Sequence, residues 1–421
     1  MLGIANSRNA LIHVSDGASF YIGVSLCSFS VICPAYVKKY TDSAILLMLI
    51  PVITDVATNL TQTLSVYLTR QNPQRNPVRD YWITEMIHRL SFVLIGISIF
   101  LFSWSPVVSL VSFYLLFIAS NISWGFAMPN WVDCLSLTLP DAVRSSFMGK
   151  REFLSRLFGI AAVTAQPFLL GLAAFPQNYG LLFVIAGVFF TAGAVPIRFF
   201  QPIIALREER REHLEGGFGK FLKDGAAMVF GNKKLLPFLA VTWSLSVSRI
   251  TYAFFTPYVI DRVISKVPGG NRDVLVSVLN ITLLVFLALT AWLVGRLTTR
   301  FGHRKVLMGA IFSFAASNLL VLAVPVFPVV LAATFLLAFF MNSSYLVTLN
   351  AIMDFTPPHL RSTATAFNNS VNALFILGFG AVGSLVGSKF GYGTAMLTAA
   401  VLILAGVVLL FRAPMQEKAH P

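Results

Sequence analysis

Asp55 stands in Val52-Ile53-Thr54-Asp55-Val56-Ala57-Thr58 and Arg249 in Ser246-Val247-Ser248-Arg249-Ile250-Thr251-Tyr252, each inside a long apolar run. A charge near the centre of a bilayer costs at least ~2.5–3.5 kcal/mol on insertion scales, so such a side chain usually faces a protein interior and serves function. For Arg249 two readings stand side by side. One is recognition of a carboxylate or phosphate, which a guanidinium binds through two parallel hydrogen bonds; the other is a structural pair with an acid or with helix carbonyls. For Asp55 one reading is a proton carrier, because burial favours its neutral form and opening to water reverses that balance. The other is an aspartate hydrogen-bonded within a helix interface. Asp133, in Trp131-Val132-Asp133, lies seven residues before Pro140 near the expected cytoplasmic end of its helix. It reads as a contact to the nearby basic loop or as a third coupling group.

Glu85, His88 and Arg89 bracket the expected start of the third apolar run and read as a local set of pairs. The six histidines are scattered, and there is no H-E-x-x-H and no nucleophile–base set, so an enzyme is not expected. Cys27, Cys33 and Cys134 form no CxxC pair and no Cys/His cluster, so neither a disulfide framework nor a metal site is implied, and no cofactor is expected. Gly378-Phe379-Gly380-Ala381-Val382-Gly383 satisfies the dinucleotide fingerprint, but it sits in an apolar helix with no strand before it and no acid about 20 residues on. With Gly387 it reads as small residues that let helices approach closely.

These residues must be held by a membrane-embedded scaffold. Of 421 residues 57% are apolar and 11% charged, roughly half the charged share of a soluble protein. A net charge of +14 would point to nucleic acid in a soluble chain, but here Lys and Arg cluster in short connections between apolar runs, with no basic face interleaved with aromatics. Lipid is therefore the expected partner and nucleic acid is not. Residues 1–16 are mixed polar, and the apolar run after them is too long for a signal-peptide core.

A span needs about 20 apolar residues. On that scale helices are expected near 17–37, 43–69, 86–104, 107–134, 152–174 and 179–200, then 235–259, 274–298, 306–325, 328–352, 363–388 and 392–412. With both termini cytoplasmic, 24 of the 31 Lys and Arg fall on the inner side. The outer ones are Lys38, Lys39, Arg262, Lys266, Arg272 and Lys389, with Arg249 inside a span, which satisfies the positive-inside rule. The fold class is thus an all-α membrane protein of about twelve transmembrane helices in the plasma (inner) membrane. Residues 201–232, with Arg207, Arg210, Arg211, Lys220 and Lys223, read as a helical cytoplasmic linker that could also meet anionic lipid headgroups.

One motif recurs. Pro140-Asp141-Ala142-Val143-Arg144-Ser145-Ser146 and Pro357-Pro358-His359-Leu360-Arg361-Ser362-Thr363 both read Pro-x-x-x-Arg-Ser-Ser/Thr, at the fourth-to-fifth and tenth-to-eleventh connections and 217 residues apart. This suggests two pseudo-symmetric six-helix bundles, 1–200 and 233–421, joined by the linker, with a path between them near the midplane.

Gly295-Arg296-Leu297-Thr298-Thr299-Arg300-Phe301-Gly302-His303-Arg304-Lys305-Val306-Leu307 follows the eighth span. It resembles the loop signature G-x-L-[AS]-D-R-x-G-R-[RK]-x-x-L of the major facilitator superfamily, with Thr299 at the family's Asp and His303 at one of its basic positions. Gly295, Arg300, Gly302 and Arg304 form this gating-loop motif, its glycines permitting a tight turn and its arginines holding it at headgroup level. The resemblance implies a path lined by the first, fourth, seventh and tenth helices, whose polar and aromatic members here include Tyr21, Ser25, Asn121, Trp124, Tyr252, Asn342 and Tyr345. Asn369 and Asn372 on the eleventh helix could hydrogen-bond a substrate or hold helices together. The fifth helix lacks the G-x-x-x-G-P-x-x-G-G pattern of the superfamily's drug–proton antiporters. The resemblance implies a monomeric secondary transporter for a small organic solute, coupled to protons or another ion and working by alternating access. Export of amphipathic compounds is the alternative suggested by 38 phenylalanines, and a non-transporting receptor or scaffold is a third.

Overall fold

The computed structural model describes residues 7–72, 75–202, 216–232, 235–356 and 361–412, and they are helical with no strand. Hydrocarbon offers no hydrogen bonds, so a spanning backbone must satisfy itself, which a helix does. The helices are α1 (Ser7–Leu26), α2 (Ile32–Lys38), α3 (Ala44–Gln71), α4 (Pro77–Leu101), α5 (Pro106–Thr138), α6 (Asp141–Thr164), α7 (Gln166–Gly171) and α8 (Gln177–Ala194). They continue as α9 (Phe218–Gly231), α10 (Leu235–Ser244), α11 (Ser248–Arg262), α12 (Arg272–Ala323), α13 (Phe327–Phe355), α14 (Arg361–Phe390) and α15 (Tyr392–Arg412). Among the described residues, ten stretches are long and apolar enough to cross a bilayer. One of them, α12, is two crossings joined at a kink, and the more polar α1 with α2 adds another, so the expected twelve are present.

Local sequence sets several of the starts. Asn76 caps α4 by accepting from the backbone N–H groups of Val78 and Arg79, with Pro77 as the first helical residue. Ser105 and Pro106 open α5 in the same way, and Asn271 caps α12. A proline here loses nothing, since the first N–H groups of a helix lack an intrahelical acceptor.

The chain forms two compact units, Met1–Ser28 with Ala57–Gly217, and Phe29–Val56 with Phe218–Pro421. In the first unit α4 packs on α5 and α8, and α1 on α6 and α8. In the second, α12 packs with α13 and α15, α15 also meets α10, α11 and α14, and α2 meets α11. The glycines of the apparent dinucleotide motif lie in that second unit. A Cβ on Gly380 would sit 2.8 Å from Val52, on Gly383 2.9 Å from Ile250 and on Gly387 2.9 Å from Phe254, so these positions admit α3 and α11 to close contact with α14.

Three boundaries differ from those expected of apolarity alone. α1 starts at Ser7 rather than near 17, α4 at Pro77 rather than 86, and α6 at Asp141 rather than 152. In each case the added turns carry charges that are paired inside the protein. Arg89 and Arg151, counted above among the inner-side cations, are buried in the bundle. The seventh span is interrupted by a 3₁₀ turn at Leu245–Val247. The linker ends in the helix α9, which buries Phe221, Gly225 and Val229 and packs on α14, leaving Lys220 and Lys223 exposed. Arg207, Arg210, Arg211 and Pro357 through Leu360 lie outside the described residues, as do the side chains of 141–146 and 361–363, so only Pro140 of the recurring motif can be placed, immediately before α6.

Within the gating-loop motif only Gly302 makes the turn. It has φ 79° and ψ 163°, conformational space that is essentially reserved for glycine, whereas Gly295 lies in regular helix. A Cβ at either position would meet nothing within 4 Å, so backbone conformation alone separates them. Gly302→Ala is expected to cost about 1–3 kcal/mol through strain. Gly295→Ala should instead gain about 0.5–1 kcal/mol from helix propensity. Thermal midpoints of the two purified variants, moving in opposite directions, check this; a shift of the same sign would refute it.

Candidate functional site

Asp55 sits mid-way along α3, and Arg249 is the second residue of α11, directly after the 3₁₀ interruption. Both belong to the second unit. The Arg249 guanidinium donates from Nε to Asp55 Oδ2 at 2.5 Å and from Nη2 to Oδ1 at 3.3 Å. Its carbon lies 5.2 Å from the centroid of the Tyr252 ring, and Nη1 donates to Ser248 Oγ at 3.4 Å. Each partner keeps about a quarter of its side chain accessible, 24% for Arg249 and 25% for Asp55. A broken helix at membrane depth is found where it is covered by protein or lines a polar cavity. Here the break is held by hydroxyl and amide groups: Ser246 donates to Asn372 Oδ1 at 2.5 Å, Trp243 Nε1 to Asn368 at 3.0 Å, and Thr251 to Asn318 at 2.9 Å. The two residues singled out separately by their sequence surroundings are thus one bidentate pair.

The other sequence candidates divide. Asn342 donates to Leu287 O at 2.7 Å and Thr290 Oγ1 at 2.8 Å, which ties α13 to α12. Tyr345 is exposed, and Tyr252 stacks its face against the Arg249 charge. In the first unit Tyr21 donates to Glu152 Oε2 at 2.7 Å with Arg156 over its ring. Asn121 is buried and donates to Phe117 O one turn back in its own helix. Trp124 stacks on Phe20 at 4.9 Å and leans on His88 at 4.9 Å. Asp133 is half-buried near the end of α5, and its backbone carbonyl accepts from Ser136. In the gating-loop motif the Arg300 guanidinium lies 5.2 Å from the neighbouring Phe301 ring, and Arg304 lies just past the Gly302 turn.

A second charged set occupies the first unit, and of it the sequence reading held only the local pairing of Glu85, His88 and Arg89. Arg89 is its hub, with Nε to Glu85 at 2.5 Å, Nη2 to Asp16 at 2.5 Å, and Nη1 to Ser19 Oγ at 3.2 Å and Phe190 O at 3.0 Å. Arg151 donates to Asp16 Oδ2 at 3.2 Å, Glu152 at 2.8 Å and His13 O at 2.7 Å. Glu85, His88 and Arg89 therefore do not bracket a helix start; they lie in the third turn of α4 and beyond, wholly inside the protein. Glu85 and Arg89 at i,i+4, downstream of an Asn-Pro helix start, were the sequence signal that could have revealed them.

At the far end of α2, Lys38 pairs with Asp42 and, at 2.7 Å, with Asp261, while Lys39 meets Asp273 at 2.7 Å. Lys38, Asp42 and Asp261 border a cavity of about 770 Å³ that Tyr258, Arg262 and Tyr392 also line. Burial works against the Lys38 charge, but hydrogen bonds to Asp261 and Asp42 outweigh it and hold its pKa above the ordinary value. A raised lysine pKa stabilises fully below the unfolded value and is lost only as pH climbs through the folded one, so this tie is intact at neutral pH.

The sequence profile of the Major Facilitator Superfamily matches residues 270–421. None of the curated proteins matches the chain. Among solved structures, the nucleoside transporter NupG (D323A mutant) is similar with a TM-score of 0.73 at 12% identity, covering 97% of this chain and 100% of that one. A D-xylose-proton symporter gives 0.71 at 12%, covering 98% and 99%. The xylose transporter XylE from E. coli, in a partially occluded inward open conformation, gives 0.69 at 10%, covering 98% and 99%. These neighbours are transporters rather than enzymes, as the lack of a nucleophile–base set leads one to expect. This multi-pass membrane chain thus shares its fold over nearly its whole length with these transporters, and its residues 270–421 match the profile of the Major Facilitator Superfamily.

Proposed function

We propose that the chain is a secondary active transporter that moves a small organic solute by proton-coupled alternating access, as a monomer in the plasma membrane with both termini cytoplasmic. The Asp55–Arg249 pair beside the break between α10 and α11 carries this reading. A bidentate guanidinium–carboxylate contact is the geometry by which arginine also takes a carboxylate or phosphate from a ligand. A solute anion that competes for Arg249 leaves Asp55 without its counter-charge, and an isolated carboxylate in a poorly hydrated site gains a proton. Solute and proton then load together and leave together. The accessible quarter of each side chain makes them reachable for that exchange. The similar structures are of carriers for nucleosides and D-xylose, which sets the first compounds to try beside small carboxylates and phosphates.

A thermal-stability screen over such compounds identifies a solute, and uptake into proteoliposomes under an imposed pH gradient measures transport. Asp55→Asn should abolish gradient-driven accumulation while leaving counterflow, and Arg249→Gln should abolish both. Retention of gradient-driven transport in the two variants would overturn the assignment.

A further inference from the structure

The cavity of about 770 Å³ beside Lys38 lies within the second unit, where the C-terminal end of α11 meets the turn between α14 and α15. Small-molecule sites span roughly 300–1,000 Å³, so its volume is that of a binding site rather than of a packing defect. It is separate from the Asp55–Arg249 pair. Arg249 and Arg262 are the second and the last residues of the 15-residue α11, which puts about 20 Å of helix between them.

The charges that line it do not balance. Lys38, Arg262 and Lys266 stand there with Asp42 and Asp261. Both acids are already engaged: Lys38, with 8% of its side chain exposed, pairs with Asp42 and, at 2.7 Å, with Asp261. Its ammonium also lies 5.1 Å from the centroid of the Tyr392 ring, whose hydroxyl donates to Asp42 O at 2.6 Å. One ammonium thus serves two carboxylates and is itself held in place. Arg262 and Lys266 are exposed and, among the described residues, make no ion pair. Two cations therefore line a cavity whose acids are committed to a third.

The backbone adds donors of the same preference. Ala395 N–H donates to Gly391 O, which makes Gly391 the residue that opens α15. A glycine in that place has no side chain to accept from the first N–H groups of the helix, so those of Tyr392, Gly393 and Thr394 go uncapped. All three residues line the cavity, and a helix N-terminus carries a partial positive charge. Gly391 holds φ 84° and Gly393 has no side chain, so main chain forms this part of the wall. Leu322, Pro325, Phe390 and Leu397 make the rest apolar.

We propose that this cavity binds a phosphate group, taken by Arg262, Lys266 and the N–H groups that open α15. A cationic ligand would have to displace Lys38, which is tethered in the chain and serves both acids. Phosphate suits the donors because its oxygens point in tetrahedral directions and carry up to two negative charges, matching two uncommitted cations. Free phosphate and the headgroup of an anionic lipid present the same group, and a lipid chain would lie along the apolar lining. The site needs no transported solute, so it stands separately from the role given to Asp55 and Arg249.

Thermal midpoints of the purified full-length protein in an uncharged detergent test it. Sodium phosphate should raise the midpoint relative to sodium chloride at equal ionic strength. Dihexanoyl phosphatidic acid carries the same group on short chains; a rise at lower concentration than with inorganic phosphate identifies a lipid as the occupant, and otherwise the free ion is. The double variant Arg262→Gln with Lys266→Gln should melt close to the parent without ligand, since neither side chain is buried or ion-paired among the described residues. It should need about tenfold more phosphate for the same rise, the scale of one lost charge-assisted hydrogen bond. No rise with either probe, a rise unchanged in the double variant, or a double variant that fails to accumulate folded would overturn the proposal. An unchanged rise would send the phosphate to another cation, such as Arg249, and leave the transport reading intact.

Discussion

Arg89→Met is expected to be the most damaging single substitution in the molecule. Arg89 is the largest fully buried side chain, and four groups depend on it: Asp16, Glu85, Ser19 and the carbonyl of Phe190. Methionine fills much of the same volume without charge, so what is lost is pairing rather than packing. Breaking a buried ion pair by removing one partner costs about 3–5 kcal/mol, because the other charge stays buried without compensation. Asp16 keeps Arg151 at 3.2 Å and Tyr81 at 3.1 Å, which limits the loss; the Phe190 carbonyl loses its side-chain donor. Yield of monodisperse protein on size exclusion and the thermal midpoint in detergent should both fall well below those of the parent. Arg89→Lys retains the charge without the planar fork that reaches two acids at once, and should fall between. An Arg89→Met protein that melts with the parent would show the network to be energetically idle.

Gly187→Leu is expected to follow closely, by a different physical route. A Cβ at Gly187 would lie 2.5 Å from the backbone nitrogen of Val93 and 2.9 Å from the carbonyl carbon of Phe92. At Gly96 it would lie 2.6 Å from the Gly180 carbonyl oxygen. These obstacles are main chain, which cannot rotate aside, so α4 and α8 would have to separate. Overpacking of a close-packed interior costs typically ~1–3 kcal/mol and occasionally more. The stack of Phe92 on Phe190 at 5.4 Å and the Arg89 hydrogen bond to Phe190 lie within a turn of the contact, so the separation would reach the charged set. Small residues at membrane helix interfaces serve this close approach. A lowered midpoint for Gly187→Leu beside an unaffected Gly171→Leu, whose Cβ would meet nothing within 4 Å, checks it. Equal melting of the two would refute it.

The spans, the turn at Gly302 and the pair at Asp55 and Arg249 were legible because each rests on a local contrast: apolar run against polar gap, glycine between basic residues, a charge inside hydrocarbon-like sequence. That Arg249 balances Asp55 was one of two readings open from the sequence; the choice was not legible, since 194 residues separate them and only the fold sets their distance. The set around Arg89 escaped for the opposite reason. Asp16 and Glu85 stand one residue outside the stretches that hydropathy marks, so they looked like polar flanks. They are within helices because other charges in the protein, not water, solvate them. Asn342, a polar residue at an expected path-lining position, braces α12 against α13, a contact that its sequence surroundings do not show.

The two ionic groupings answer differently to the medium. Lys38, Lys39, Asp42, Asp261 and Asp273 lie at helix ends, with Asp42 83% and Asp261 41% exposed. At physiological ionic strength the screening length is about 8 Å, and it shortens as salt rises. Added salt therefore loosens the ties at the end of α2 while the dry set around Arg89 keeps its full strength, and that end of the second unit becomes the part of this protein that feels the ionic strength of the fluid it faces.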